Sequence, residues 1–405
     1  MAPDNVSDND EVIFNDDLLA IPKDRDQIDK RFTSIAHVLD DNKLLAYFSH
    51  FNKLAGDAKQ SSRNCGAGAI MLGTAAILLA GFEILMDHYV ILSPTDVHDS
   101  LANVLLFIAL VAVVCGLLSP LVGWMGVLLG ERKRRWLHNR FMSETTRQFH
   151  FQSMIARLPE ILASLQGEDE QAKARAREIF IAKRDEWWFA FQAAFKGRIG
   201  IMFEYVIDLS EEDGWRHDRK LPDLGGDHPE LEPLFAAYRM LRFEHQRNYA
   251  EYKLQRERGT FISSFPRQQA AVLRALSTWA IGALLTIHIL FFGIIVAIAI
   301  ASILKSGGHD VFSAVFSQYS GIINAAIIFV PLTVLVTHAF SNGLMPEWEI
   351  DRHERYRAGI DSALKQFDAG RTQAEKLVAM RHLEHHAFEE MRDFLRVNNR
   401  ALFVI

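Results

Sequence analysis

The sequence predicts an all-α fold: a polytopic membrane protein with four transmembrane helices in two hairpins and a helical cytoplasmic body. Three observations predict it. Four apolar runs fall at about residues 66–86, 101–129, 275–304 and 319–343. Each is near or above the roughly 20 residues a helix needs to cross a bilayer core of about 30 Å, and most of each is free of charge. No strand-like alternation of useful length occurs between them. The chain as a whole is 49% hydrophobic and 23% charged. An oily quarter is therefore averaged with a polar remainder, whereas a pure transporter would spend far more of its length in the membrane.

The first element is an acidic tail over residues 1–30. Asp4, Asp8, Asp10, Glu11, Asp16, Asp17, Asp24, Asp26 and Asp29 precede any periodic pattern, so the tail is expected to be disordered or loosely docked. Residues 31–150 form a first helix–hairpin–helix half. Phe32, Ile35, Leu39, Leu44, Phe48 and Phe51 recur near helical spacing over 31–63, which predicts an amphipathic helix running into the first span. That span is rich in small residues, and Ala69-x-x-x-Gly73 fits close helix contact in lipid. The second span carries Pro120. Residues 151–245 read as cytoplasmic helices interrupted by a loop over 208–229, where Gly214, Pro222, Gly225, Gly226 and Pro229 cluster. Residues 246–405 form a second half. Ser264 and Pro266 mark a break before its first span, Pro331 lies in its second, and polar helices follow to about residue 399.

Basic residues set the orientation. Lys53, Lys59 and Arg63 precede the first span, Arg132 to Arg135 follow the second, Arg267 and Arg274 precede the third, and Arg352, Arg355 and Arg357 follow the fourth. The loop over 87–100 has no Lys or Arg, and that over 305–318 has only Lys305. Both termini and the 130–274 segment are therefore expected in the cytoplasm. More than 60 residues, none of them a long apolar run, precede the first span, so that span is expected to act as an internal signal anchor rather than a cleaved leader. The net charge of −6 argues against nucleic acid as a partner. Two cysteines, Cys65 and Cys115, make neither a disulfide framework nor a zinc site.

The two halves echo one another. Pro120 is followed by Trp136 and Arg140, and Pro331 by Trp348 and Arg352. Each copy reads Pro-Leu, an apolar run, then Trp-x-x-x-Arg. Duplication explains this, and so does coincidence, because Pro in a span and Trp near an interface are both common.

Ionisable groups inside spans are functional candidates because burying them is costly. His288, near the middle of the third span, reads either as pore-lining or as a neutral histidine bonded to a neighbour. Glu83 and Asp87 share a helix face at the outer end of the first span. In an oligomer they would form cation-selecting rings, and alone they are carboxylates at headgroup depth. Pro120 and Pro331 each delete a helical hydrogen bond, so they read as matched hinges or as packing kinks. His382, His385, His386 and Glu389 lie on one helix face. They lack the pattern of a zinc protease and read as a polar face, so no metal is expected. No phosphate-binding loop, nucleophile elbow or nucleotide fingerprint is present, so neither an enzyme nor a cofactor is expected.

The stretch Trp136-Leu-His-Asn-Arg140-Phe-Met-Ser-Glu144 follows a two-span run and a Tyr47, Lys59 and Arg63 helix. It resembles the SLATT group, two-span effector domains of bacterial nucleotide-signalling and conflict systems. Glu384-His-His-Ala-Phe-Glu389-Glu-Met-Arg392 is similar to the closing helix of such domains. The second half matches less well, because Tyr356 stands where Glu is expected. The resemblance implies a SLATT-like pore-forming effector in the bacterial inner membrane, acting in antiviral defence as a homo-oligomer. With duplication, one chain would carry two such domains. The resemblance also implies control by a nucleotide signal or a cytoplasmic sensor protein. The rival expectation is a non-conducting, membrane-anchored interaction scaffold.

Overall fold

The structure, a computed structural model, describes residues 16–91, 98–127, 131–167, 169–196, 220–255, 265–303 and 328–400. The described residues are all-helical, with no strand among them. After a 3-10 turn at Asp16–Leu18 come α1 (Pro22–Arg31), α2 (Ala36–Leu39), α3 (Asn42–Ile91), α4 (His98–Val127), α5 (Glu131–Ala156), α6 (Leu158–Leu165) and α7 (Glu170–Lys196). A second series has α8 (Glu232–Tyr238), a π-helical segment at Arg239–Glu244, α9 (His245–Lys253) and α10 (Pro266–Ile303). The last three are α11 (328–344), α12 (Pro346–Ala369) and α13 (Gln373–Arg400).

These elements divide into two compact units. The first draws on Met1–Lys59, Arg134–Arg256 and Trp348–Arg400; the second draws on Gln60–Lys133 and Glu257–Glu347. Up to residue 400 the chain therefore passes between them at 59/60, 133/134, 256/257 and 347/348.

Helix boundaries follow local chemistry. Asp41 Oδ1 accepts the backbone N–H groups of Lys43 and Leu44, each at 3.1 Å, and so caps α3. The helix expected over 31–63 thus breaks at Asp40 and Asp41, then runs unbroken through the first span. Thr372 and Glu375 form a reciprocal cap on α13: the Glu375 N–H donates to Thr372 Oγ1 at 3.3 Å, and Glu375 Oε2 accepts the Thr372 N–H at 3.2 Å. Pro22, Pro266 and Pro346 each open a helix, where a missing N–H costs nothing.

The first unit closes around an aromatic core. Phe149, Phe151, Phe235, Tyr238, Phe243 and Phe388 are fully buried, and each buried aromatic of this size contributes about 1.5–3 kcal/mol. Ile35, Leu39, Leu44 and Phe48 join it, as their spacing predicts. Trp188 stacks on Phe191 with ring centroids 5.2 Å apart, and both are buried, while Phe189 on the same helix is exposed. Within the tail expected to be disordered or loosely docked, the described residues from Asp16 form the 3-10 turn and α1. Asp17, Leu18 and Leu19 are buried, because two arginines far along the chain compensate the Asp17 charge.

The second unit holds the apolar helices. Among the described residues, four helices are long and apolar enough to cross a membrane. Side chains such as Leu106 (71% exposed), Leu117 (68%) and Phe292 (70%) stand out from the bundle. Outward leucines and phenylalanines in this number suit lipid rather than water. Of the fourth run, residues 319–327 lie outside the described residues.

In this unit α3 packs on two neighbours. A Cβ built on Gly123 would lie 3.6 Å from the Ala69 Cβ, and one on Gly116 would lie 3.7 Å from the Ala76 Cβ. As numbers rise along α3 they fall along α4, so these two helices run antiparallel, in contact through small residues. Ser119 Oγ adds a bond to the Ala69 carbonyl at 2.9 Å. On the other side Ile70 clusters with Ala339 and Phe340, and a Cβ on Gly81 would come within 3.2 Å of Phe329. Helices α3 and α11 are therefore antiparallel too, and Gly81 is there because a side chain would press into the Phe329 ring.

Candidate functional site

The most concentrated chemistry lies inside the first unit, where charges from four chain-distant segments meet. Its centre is Asp17, in the 3-10 turn, with its side chain fully buried. The carboxylate accepts from Arg147 Nε of α5 at 3.0 Å, from Gln246 Nε2 of α9 at 2.9 Å and from Arg242 Nη1 of the π segment at 3.3 Å. Arg242 in turn grips Glu384 of α13 through two bonds, Nε at 2.8 Å and Nη2 at 3.1 Å. The Tyr238 hydroxyl donates to Glu384 at 2.9 Å, and the Tyr356 hydroxyl donates to Gln246 at 3.0 Å. Arg147 also holds Glu144, which Arg140 meets at 2.6 Å.

Three arginines thus face three carboxylates, with Arg140 the most exposed of the six. Such a network is tolerable only when its donors and acceptors are matched. Phe rings cover the guanidinium faces, with Arg242 4.6 Å from the Phe151 centroid and Arg147 4.9 Å from that of Phe48. Burial alone would raise the Glu144 carboxyl, but Arg140 and Arg147 outweigh it and hold the group at about 2. Burial pushes Tyr238 well above its ordinary value, reinforced by the Glu384 charge, and raises Tyr356 as well. Both phenols are therefore neutral hydrogen-bond donors at physiological pH. Arg242 sits on a π segment, an irregularity that widens one turn and is common at functional sites.

The Trp-x-x-x-Arg copies lead into this unit unequally. Trp136 is buried (6% exposed) and meets Phe394 edge-on, with ring centroids 5.6 Å apart. Trp348 is 53% exposed. Arg140 pairs with Glu144 along its own helix, whereas Arg352 pairs with Glu349 at 2.6 Å and reaches across to Glu390. Even so, Arg352 lies 5.1 Å from the centroid of Phe394, the ring that Trp136 touches. The residues eight places after each Trp, Glu144 and Tyr356, both join the Asp17 network.

The remaining candidates are scattered in the second unit. Ala69 is buried against α4, and Gly73 is half-buried on the same helix. Glu83 is half-buried, and the Asp87 side chain lies outside the described residues. His288 faces outward and donates Nδ1–H to the Leu284 carbonyl one turn back at 2.8 Å. Pro120 lies exposed within α4, and Pro331 is half-buried in α11. Glu83, His288, Pro120 and Pro331 lie on α3, α10, α4 and α11 in turn. In the first unit His382 bonds Gln366 at 2.8 Å, and His385 and His386 each approach Glu389 at 3.6 and 3.7 Å.

Sequence reasoning missed Asp17, Arg147, Arg242, Gln246 and Glu384 as a set. One local signal existed: Arg242 is flanked by Leu241 and Phe243 in a stretch that otherwise reads as a plain helix. An arginine between core residues implies a buried acid somewhere.

No protein-family model matches the chain, no curated protein matches it, and no solved structure matches it.

Proposed function

We propose that the chain is a bacterial inner-membrane protein that assembles into an oligomer and forms or gates a pore. Its apolar helices form two hairpins, and its first unit is a cytoplasmic body that responds to a signal. The observation that carries this is the division of labour between the units. One presents outward-facing apolar helices of spanning length. The other is a polar helical body with its own core and charge network, tied to the first by four chain passages. A simple anchor needs one passage. Four passages give a body-wide rearrangement four points at which to pull on the spans.

The antiparallel contacts of α3 with α4 support the hairpin arrangement. The convergence of Glu144 and Tyr356 on one network supports duplicated halves, as does the resemblance of Trp136 to Glu144 to SLATT-like effectors. Glu83 and Asp87 are proposed as rings at the outer mouth, His288 as an inter-subunit or pore-facing group, and Pro120 and Pro331 as hinges of the gate. Four helices enclose little lumen, so conduction requires several copies.

A non-conducting scaffold is the second reading. Close packing of α3 against α4 and α11 through small and apolar residues favours it, since an anchor needs nothing more. The particle mass in lipid nanodiscs tests the oligomer that the pore requires, and ion flux separates that oligomer from a scaffold. A defined oligomer is the expected result, and a strict monomer overturns the pore.

A further inference from the structure

We propose that Asp17–Leu19 is a detachable strap, an internal ligand of the first unit that occupies a built docking site for an acidic-dileucine segment. The site has two parts. Arg147, Arg242 and Gln246 converge on the Asp17 carboxylate. Leu18 and Leu19 are sunk in the aromatic core beside it. This is how a protein captures a short peptide: charged donors fix one group, and an apolar pocket takes the next two.

Three features mark the segment as separable rather than integral. First, the helix after it presents few buried side chains: among the described side chains of α1, Ile28 is buried, Asp26, Gln27, Lys30 and Arg31 are exposed, and Arg25 is held by Asp40 and Asn42. Second, Leu19 holds φ of 59°, a left-handed conformation that a leucine adopts only under constraint. Release relaxes it. Third, much of the network does not run through the strap. Arg242 keeps both bonds to Glu384, and Arg147 keeps Glu144. Charge balance departs with Asp17: three arginines are left facing two carboxylates. The emptied site is then electropositive and selective for a segment with the same chemistry. The strap touches α5, the π segment and α9 through one carboxylate. This inference is independent of conduction, because its tests read exchange and binding alone.

Hydrogen exchange on the full-length protein in detergent tests it first. Amides of residues 17–31 should exchange about tenfold or more faster than those of α8 and the π segment, the mark of local rather than global opening. Adding a synthetic peptide of residues 16–31 should accelerate that exchange further, and the same peptide carrying Asp17→Asn should not. Exchange of 17–31 only in step with the core, insensitive to the peptide, would overturn the proposal. Full-length Asp17→Asn gives the second test. The labelled wild-type peptide should bind it saturably and about tenfold or more tighter than it binds the unaltered protein, whose site is filled. Equal binding to both would refute the strap. Should the variant fail to fold, the exchange experiment on the unaltered protein decides alone.

Discussion

Glu384→Gln is the sharpest probe of the buried network. The wild-type carboxylate accepts two bonds from Arg242, at 2.8 and 3.1 Å, and one from the Tyr238 hydroxyl at 2.9 Å. Glutamine keeps one acceptor oxygen and places an NH2 where the other oxygen stood, facing the Arg242 donors. Removing one partner of a buried pair costs about 3–5 kcal/mol, because the other charge is left uncompensated. Arg242 retains Asp17 at 3.3 Å, so the lower end, about 3 kcal/mol, is expected. In a unit of roughly 200 residues each kcal/mol moves Tm by about 2–4 °C, which gives a loss of about 6–12 °C. Thermal unfolding followed by tryptophan fluorescence in detergent measures it. The double variant Arg242→Met with Glu384→Leu should lose less than the sum of the two singles, by about 1–3 kcal/mol, because it leaves no orphan charge. A loss below about 0.5 kcal/mol for Glu384→Gln, or strict additivity in the cycle, would refute the reasoning.

Three further outcomes are expected. Burial, aided by Arg177 and Arg184, lowers His37 to about 4, and burial likewise lowers His150 to about 4; the unfolded chain therefore takes up protons first, so the denaturation midpoint should fall as pH drops from about 6.5 to 4. Glu144, held at about 2, adds a loss that starts only below about 4.5; a midpoint flat between pH 7 and 4 would contradict the histidine burial. Ala76→Cys with Gly116→Cys, in a background lacking Cys65 and Cys115, should form a disulfide on mild oxidation, since the Cβ separation of 3.7 Å suits one. Gly123→Leu should abolish that cross-link by forcing α3 and α4 apart at a cost of about 1–3 kcal/mol, while Gly123→Ala should preserve it. In permeabilised cells, an impermeant reagent should label a single cysteine at Thr95 but not at the exposed positions Lys183 or Lys365; the reverse pattern would invert the orientation.

The features legible in the sequence are those that local periodicity encodes. The apolar runs announced helices of spanning length, and Phe32, Ile35, Leu39, Leu44 and Phe48 announced a buried face, because each signal lies within a few turns of chain. Asp17 was illegible for the opposite reason. Its neighbours are acidic, so composition points to a solvated tail, and the groups that draw it into the core lie 130 and 225 residues away. The difference between Trp136 and Trp348 was hidden in the same way. Both sit in one short motif, but only Trp136 meets Phe394 of the last helix. Glu384 stood in a segment conspicuous for its histidines, whereas its importance comes from Arg242, on a π segment that no sequence pattern marked.

Ion flux through purified protein in liposomes, under an imposed potassium gradient, tests the pore most directly. The expected result is protein-dependent flux with a cation preference that falls when Glu83→Gln and Asp87→Asn are combined, assembly being unchanged. Flux no greater than in protein-free vesicles, from protein shown to be inserted and oligomeric, would contradict the pore and leave the membrane-anchored scaffold.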